Sequence, residues 1–292
     1  MILVDMNQVM ISNLMMQINV RNGELEEGLV RHMVLTSLRM YRRKFGDKFG
    51  ELVLCYDSKN YWRRKYFPQY KASRKKDRAK SNHNWGQIFE VLNKLRDEFR
   101  ENLPYKVMCV DGSEADDIIA ILTIDQGMRN IRLQKDMQPP VPILILSGDK
   151  DFVQLQKYPY VKQYNPVKKS FVECPDPHLY ILEHIIKGDK SDGIPNCLSP
   201  DETFVKGARQ RPISKKNFSL WLDKAPEDFC TSEQMQYYER NKTLIDFRYI
   251  PKEIEDLIVE EYDNFVCKPR SGIYPYFVSN QLLELINHVG DF

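Results

Sequence analysis

"PILILSGDKDFVQL", residues 142–155, runs an unbroken apolar block, Ile143 to Leu146, straight into Asp149 and Asp151. Such a block reads as a parallel strand covered on both faces, and Gly148 permits a tight turn between the strand and the acids. A single aspartate at a strand end is commonly a cap for the helix that follows. Two of them, two residues apart, repel each other and need a reason.

The same pattern recurs outward from this point. "ILV" at 2–4 ends in Asp5, "LVLCY" at 52–56 ends in Asp57, and "YKVMCV" at 105–110 ends in Asp111 and then "GSEADD". Between the strands lie helical spacings such as Ile88, Val91, Leu92, Leu95 and Phe99. The alternation predicts an α/β fold, a central mostly parallel sheet flanked by helices. Residues 127–142 read as a loop or insertion ahead of the fourth strand. From Pro177 the pattern turns helical, with Leu179, Ile181, Leu182, Ile185 and Ile186 on one apolar face. The expected division is a sheet domain over 1–176 and a helical region over 177–292.

In an open parallel sheet the strand ends meet at one rim, where ligands bind. Asp5, Asp57, Glu114, Asp116, Asp117, Asp149 and Asp151 should therefore converge, and crowded carboxylates raise one another's pKa unless a cation neutralises them. Hard oxygen donors suit Mg²⁺ or Mn²⁺. Asp189 and Asp192, in "KGDKSDGIPN" (187–196), are further candidates, although a polar helix-to-turn connection is the better explanation of this segment taken alone. The five histidines show no ligand spacing and are set aside. Phosphate-loop, HExxH, GxSxG and GxGxxG patterns are absent.

With 292 residues, 42% hydrophobic and 29% charged, the composition is that of a globular chain. Six scattered cysteines without a CxxC pair suit a reducing compartment. No apolar stretch reaches the roughly 20 residues of a membrane span, and no secretory signal is evident, so a cytoplasmic location is expected. The net charge of +2 conceals an asymmetry. "YWRRKYFPQYKASRKKDRAK", 61–80, carries nine Lys or Arg against one Asp, +8, leaving −6 for the rest. A basic segment interleaved with Tyr61, Trp62, Tyr66, Phe67 and Tyr70 suits phosphate contact and base stacking. Beside an acidic metal rim it points to a phosphodiester substrate.

Taken together, "VDMNQ", "LCYDSKNYWRRKYFPQYKASR", "GSEADDIIA", "SGDKDFVQL" and "KGDKSDGIP" resemble the 5′-nuclease (flap endonuclease) superfamily. The likeness continues through "KYPYVKQYNP", "NKTLIDFRYIP" and "IYPYFV". It implies a two-metal 5′-to-3′ exonuclease and flap endonuclease with ribonuclease H activity, which removes RNA primers during lagging-strand replication. Its substrates would be RNA–DNA hybrid and duplex DNA with a 5′ end or flap. Asp5, Asp57, Asp116 and Asp149 would surround a first Mg²⁺ ion, with Glu114 close by, and Asp151, Asp189 and Asp192 would serve a second. Lys71 and Arg63 would reach the scissile phosphate. An arch at about 59–85 would pass the 5′ strand and contact it through Tyr61, Trp62, Arg64, Tyr70, Arg74, Lys75, Lys76 and Arg78.

The resemblance also implies a helix-hairpin-helix-like element in the C-terminal region. The Gly-Ile-Gly turn many relatives use to grip duplex DNA is missing here, so Lys206, Arg209, Arg211, Lys215 and Lys216 are the expected substitutes. A monomer is expected, with a single-stranded-DNA-binding protein and a sliding clamp as replisome partners. Only four residues precede Asp5, so no clamp-binding N-terminal extension is expected. Two other readings stand: a PIN-type endoribonuclease, which is usually shorter and lacks the arch, and a non-catalytic nucleic-acid-binding replication protein, which would not need the acids.

Overall fold

The computed structural model of the chain describes residues 1–20, 25–81 and 83–292, without the side chains of 16–20 and 75–77. The N-terminal elements are β1 (Ile2–Asp5), α1 (Met6–Val20), α2 (Glu27–Phe49), β2 (Leu52–Cys55), α3 (Trp62–Tyr66), α4 (Ala72–Lys80), α5 (Trp85–Asn102) and β3 (Lys106–Met108). There follow α6 (Ala115–Lys135), β4 (Ile143–Leu146), β5 (Val161–Asn165) and β6 (Ser170–Val172). The helical remainder comprises α7 (Pro177–Lys187), α8 (Lys215–Trp221), α9 (Ser232–Ile245), α10 (Lys252–Asn264), α11 (Ile273–Ser279) and α12 (Leu283–Ile286).

The six strands lie in the order β3-β2-β1-β4-β5-β6, all pairs parallel except β5–β6. Successive side chains of a strand point to opposite faces, and here both faces are buried. Ile2, Val4, Leu52, Leu54, Leu144 and Leu146 face one core with α1, α2 and α5. Leu3, Val53, Cys55, Ile143 and Ile145 face the other, beneath α6. That is why the strands read as continuous apolar runs. The last helices return to the sheet: Ile273, Tyr276, Phe277, Leu285 and Phe292 enter the first core, and Ile258 of α10 enters the second.

Three expectations are corrected. The stretch 127–142 is not a loop throughout, because α6 continues to Lys135. Gly127, inside that helix, is required for close approach: a Cβ there would run into the Tyr160 hydroxyl, which donates to Thr123 O at 3.2 Å. Gly148 likewise serves by its size, not by a left-handed turn. Its φ is not positive, and a Cβ would meet Asn165 Nδ2 at 2.5 Å. Strands β5 and β6 were not anticipated, because Lys162, Gln163 and Ser170 interrupt their apolar pattern.

Beyond α7 the chain turns sharply at 188–194, passes through a run of turns at 201–207 and reaches α8 only at Lys215, so a long irregular connection stands where a helix-hairpin-helix-like element was expected. Among the described residues no helix is long and apolar enough to cross a membrane.

Candidate functional site

Strand order reverses between β1 and β4, so a crevice opens beyond their carboxyl ends. Asp5 closes β1 there, nearly buried, with Oδ1 accepting from Gln8 N at 3.1 Å and Oδ2 from Ser147 Oγ at 2.9 Å. Ser147 also accepts from Asp149 N at 3.0 Å, and Asp149 Oδ1 accepts from Asp151 N at 3.0 Å. Gln163 on β5 braces this turn by donating to the carbonyls of Ser147 (3.0 Å) and Asp149 (2.6 Å). Asp57 keeps an exposed edge while its carboxylate turns into the crevice and accepts from Ala115 N at 2.8 Å, which ties β2 to the start of α6 and brings in Asp116.

These acids lack cationic partners. Among the described residues no Lys or Arg forms an ion pair with Asp5, Asp57, Asp116, Asp149 or Asp151, and only His184 approaches one of them. Burial, with Asp57 and Asp149 nearby, pushes Asp5 up to about 6. Burial and Asp149 push Asp151 up to about 7. Asp116 is raised well above the carboxylate range by burial, against the pull of Lys71. Asp57 is raised by loss of water and by Glu114. Carboxylates crowded and desolvated in this way are stabilised by a cation.

The helical region supplies the other wall. A cleft brings Asp116 and Asp151 together with Asp189, Asp192, Arg63 and Tyr70. The turn after α7 is held by α9: Asn241 donates to Ile185 O (2.8 Å) and Pro195 O (2.9 Å), and Arg240 donates to Pro195 O (2.8 Å) and pairs with Asp201 (2.6 Å). Asp192 accepts from Tyr70 OH (2.8 Å) and Arg74 (2.6 Å) and lies 3.4 Å from Lys71 Nζ. His184, which spacing in the sequence gave no reason to select, lies on α7 with Nε2 3.4 Å from both Asp151 and Asp189. Burial lowers the imidazole pKa, but these acids outweigh it and raise it. A larger cavity of about 490 Å³ lies at the β5–β6 edge, carries a single acid, Glu173, and has none of this chemistry.

Glu114 and Asp117 are in a different condition from the rim acids. Glu114 is buried and accepts from Lys71 Nζ (2.6 Å), Arg63 (3.1 Å) and Tyr70 OH (3.0 Å). Burial would raise its carboxyl, yet Lys71 and Arg63 hold it below the usual range. Asp117, expected on the rim, is fully buried. It pairs with Arg63 at 2.7 Å and accepts from Trp62 Nε1 (3.2 Å) and Glu114 N (2.9 Å), so it has no oxygen facing a rim ion. Arg63, expected at the scissile phosphate, is 3% exposed and also donates to Leu244 O at 2.9 Å. It serves as the internal counter-ion of Glu114 and Asp117. Lys71, 6% exposed, stands in a left-handed conformation (φ 55°) between Glu114 and Asp192, at the inner edge of the cleft.

The basic segment forms α3 and α4, but few of its aromatics are open. Trp62 is core, and Tyr70 is consumed by Glu114 and Asp192, so neither offers the ring face expected for base stacking; Phe67 is equally buried. Tyr66 is 51% exposed, and Tyr61 is half-buried with Arg64 4.7 Å over its ring. Arg78 lies over Trp85 and Phe89. The side chains of Lys75 and Lys76 lie outside the described residues. Lys206, Arg209, Arg211, Lys215 and Lys216 are all exposed along 206–216.

The sequence pattern of the 5′-3′ exonuclease N-terminal resolvase-like domain matches residues 1–178, and that of the T4 RNase H C-terminal domain matches 176–292. The chain is 33% identical to the ribonuclease H of Enterobacteria phage T4 over 301 residues, covering 99% of this chain and 95% of that protein. A solved T5 5′-exonuclease with bound zinc ions superposes with a TM-score of 0.59 at 15% identity, covering 91% of this chain and 99% of that one. A T5 flap endonuclease solved with DNA and metal ions gives 0.53 at 14% identity, covering 79% and 90%. At those identities the structural likeness concerns the fold.

Proposed function

The chain belongs to the 5′-3′ exonuclease family, and from that premise we propose that it is a metal-dependent 5′ nuclease acting on RNA–DNA hybrid and on duplex or flap DNA. The observation that carries this reading is the acid rim at the β1–β4 crevice, left without cationic partners while Glu114, close by, has two. Its donor set is carboxylate oxygen, which suits Mg²⁺ with Mn²⁺ as a substitute. Asp5, Asp57, Asp116 and Asp149 would hold one ion, and Asp151, Asp189 and Asp192 a second. Divalent ions bound there supply Lewis acidity and water activation for phosphodiester hydrolysis.

The chain's own residues do the rest. Ser147 and Gln8 orient Asp5, Ala115 N orients Asp57, and Gln163 fixes the turn that carries Asp149. Lys71 is close enough to the cleft to turn from Glu114 and Asp192 toward a phosphate whose charge builds in the transition state. Exposed Arg64, Arg74 at the cleft beside Asp192, and Arg78 over Trp85 and Phe89 would contact the strand's backbone. We divide the chain functionally at 176/177, with duplex contacts along 206–216. Removal of RNA primers, action in the host cytoplasm, and association with a single-stranded-DNA-binding protein or clamp extend the same proposal.

The test is cleavage of 5′-labelled RNA–DNA hybrid, flap DNA and single-stranded RNA, each with Mg²⁺ or EDTA. Mg²⁺-dependent release from the 5′ end of hybrid and flap supports the proposal. Cleavage confined to single-stranded RNA would favour a PIN-type enzyme, and binding without cleavage a non-catalytic role.

A further inference from the structure

The second-ion position differs in kind from the first, because a nitrogen faces it. Nε2 of His184 is 3.4 Å from Asp151 Oδ1 and 3.4 Å from Asp189 Oδ2, and one donor atom from each residue lies within 4.8 Å of the others. Despite this proximity Nε2 is buried and makes no well-aligned hydrogen bond to either carboxylate, its contact with Asp189 being electrostatic. The ring is held in place by stacking on Tyr180, one turn earlier on α7, with centroids 5.8 Å apart and planes 14° from parallel. Asp189 is divided between two tasks. Its Oδ1 is taken by Ser191 N and Oγ, each at 2.7 Å, which leaves Oδ2 toward His184. A buried nitrogen that sits between two carboxylate oxygens, aligned for a hydrogen bond with neither, is placed as a ligand would be.

The spacing carries the argument further. Donors bound at about 2.1 Å to one ion lie about 3 Å apart in an octahedral shell and about 3.4 Å apart in a tetrahedral one, so both His184 distances are within the span a single ion bridges. Imidazole suits borderline metals, and Mg²⁺ prefers an all-oxygen shell. Resting on the two-ion reading above, we propose that His184 is a nitrogen ligand of the second ion, alongside Asp151 and Asp189. This position then favours Mn²⁺, Co²⁺ or Zn²⁺ over Mg²⁺, while the all-carboxylate first position does not. The alternative role for this side chain is a fixed positive counter-ion, which would need no ligand geometry.

The experiment is Mn²⁺ titration of the full-length, EDTA-stripped protein, followed by electron paramagnetic resonance, with pulsed detection of ¹⁴N coupling to bound Mn²⁺. Wild type should bind two Mn²⁺, one of them nitrogen-coupled. His184→Gln should lose the coupling and weaken one Mn²⁺ site by at least about tenfold, with Mg²⁺ affinity changed by less than about threefold. His184→Lys keeps a positive charge without the ligand, and should weaken that site at least as much. Thermal melts establish that both variants fold, and the wild-type ¹⁴N signal tests the proposal even if they do not. Two bound Mn²⁺ without nitrogen coupling, or a His184→Lys variant that binds like wild type, would overturn the His184 assignment alone. Failure to bind Mn²⁺ at all would overturn the metal reading on which it rests.

Discussion

Two groups of carboxylates lie within one turn of each other at the start of α6 and are treated in opposite ways. Glu114 and Asp117 are sunk in the protein and receive Arg63 and Lys71 as permanent partners. Asp116, between them in sequence, turns to the rim with Asp5 and Asp151 and receives none. The electrostatic outcome follows: Glu114 is held below the ordinary range, while burial carries Asp5 to about 6 and Asp151 to about 7. Asp117 shows the limit of the pairing, since burial raises its carboxyl even against Arg63. The contrast teaches that acidic residues in a motif divide by partner as well as by position. Glu114 and Asp117 are tied into the scaffold by internal counter-ions, Asp192 shares Lys71 and Arg74 at the cleft, and Asp5, Asp116 and Asp151 have no Lys or Arg partner among the described residues.

The strongest way to break the contrast is to remove charge from the bare set. Asp57→Asn or Asp149→Asn should lower Mg²⁺-dependent cleavage by about a thousandfold or more, since several kcal/mol of transition-state stabilisation depend on such a ligand. Substrate binding should stay near wild type in a filter or anisotropy assay. Cleavage within about tenfold of wild type would remove that residue from the metal set.

Next comes the neutralised set. Arg63→Met leaves Glu114 and Asp117 buried without their shared partner, and should destabilise the fold by about 3–5 kcal/mol. Urea unfolding measures it. A small loss of stability with a large loss of rate would return Arg63 to the catalytic role expected from the sequence.

Lys71 stands on the boundary between the sets and sharpens the comparison. If it turns to the phosphate in the transition state, Lys71→Ala should lower the single-turnover rate about a hundredfold, about 3 kcal/mol, with little change in substrate affinity. Lys80→Ala, on the exposed end of α4, should cost a little affinity and leave the saturated rate intact. Identical behaviour of the two variants would make Lys71 a scaffold counter-ion only.

The smallest expected effect is on stability against pH. Asp5 and Asp151 hold their protons in the fold to about 6 and 7, whereas the unfolded chain releases them near 3.8. The folded state therefore binds more protons in that window, and stability in EDTA should fall as pH rises from about 4 to about 7. Glu114 contributes with the opposite sign, and its share is lost only as pH falls below the ordinary carboxylate range. Added Mg²⁺ should restore the melting temperature at neutral pH. A melting temperature in EDTA that holds or rises between pH 5 and 7 would mean the rim acids are not strained by burial.

The sequence by itself determined the four central strands, the helices between them and the convergence of acids at one rim. Strands buried on both faces must be continuous apolar runs, and parallel strands must end on the same side. It also located the basic segment, because charge is visible without a fold. What only the tertiary structure decided was which acid receives which partner. Asp116 and Asp117 are adjacent and chemically identical, yet a helix turns successive residues about 100° apart. One therefore reaches the rim while the other meets Arg63 and Trp62. The aromatics of the basic segment divided in the same way, Trp62 and Tyr70 inward and Tyr66 outward. His184 was hidden for a related reason. Its partner Asp151 lies 33 residues away, and only the docking of α7 against the turn after β4 brings the two together.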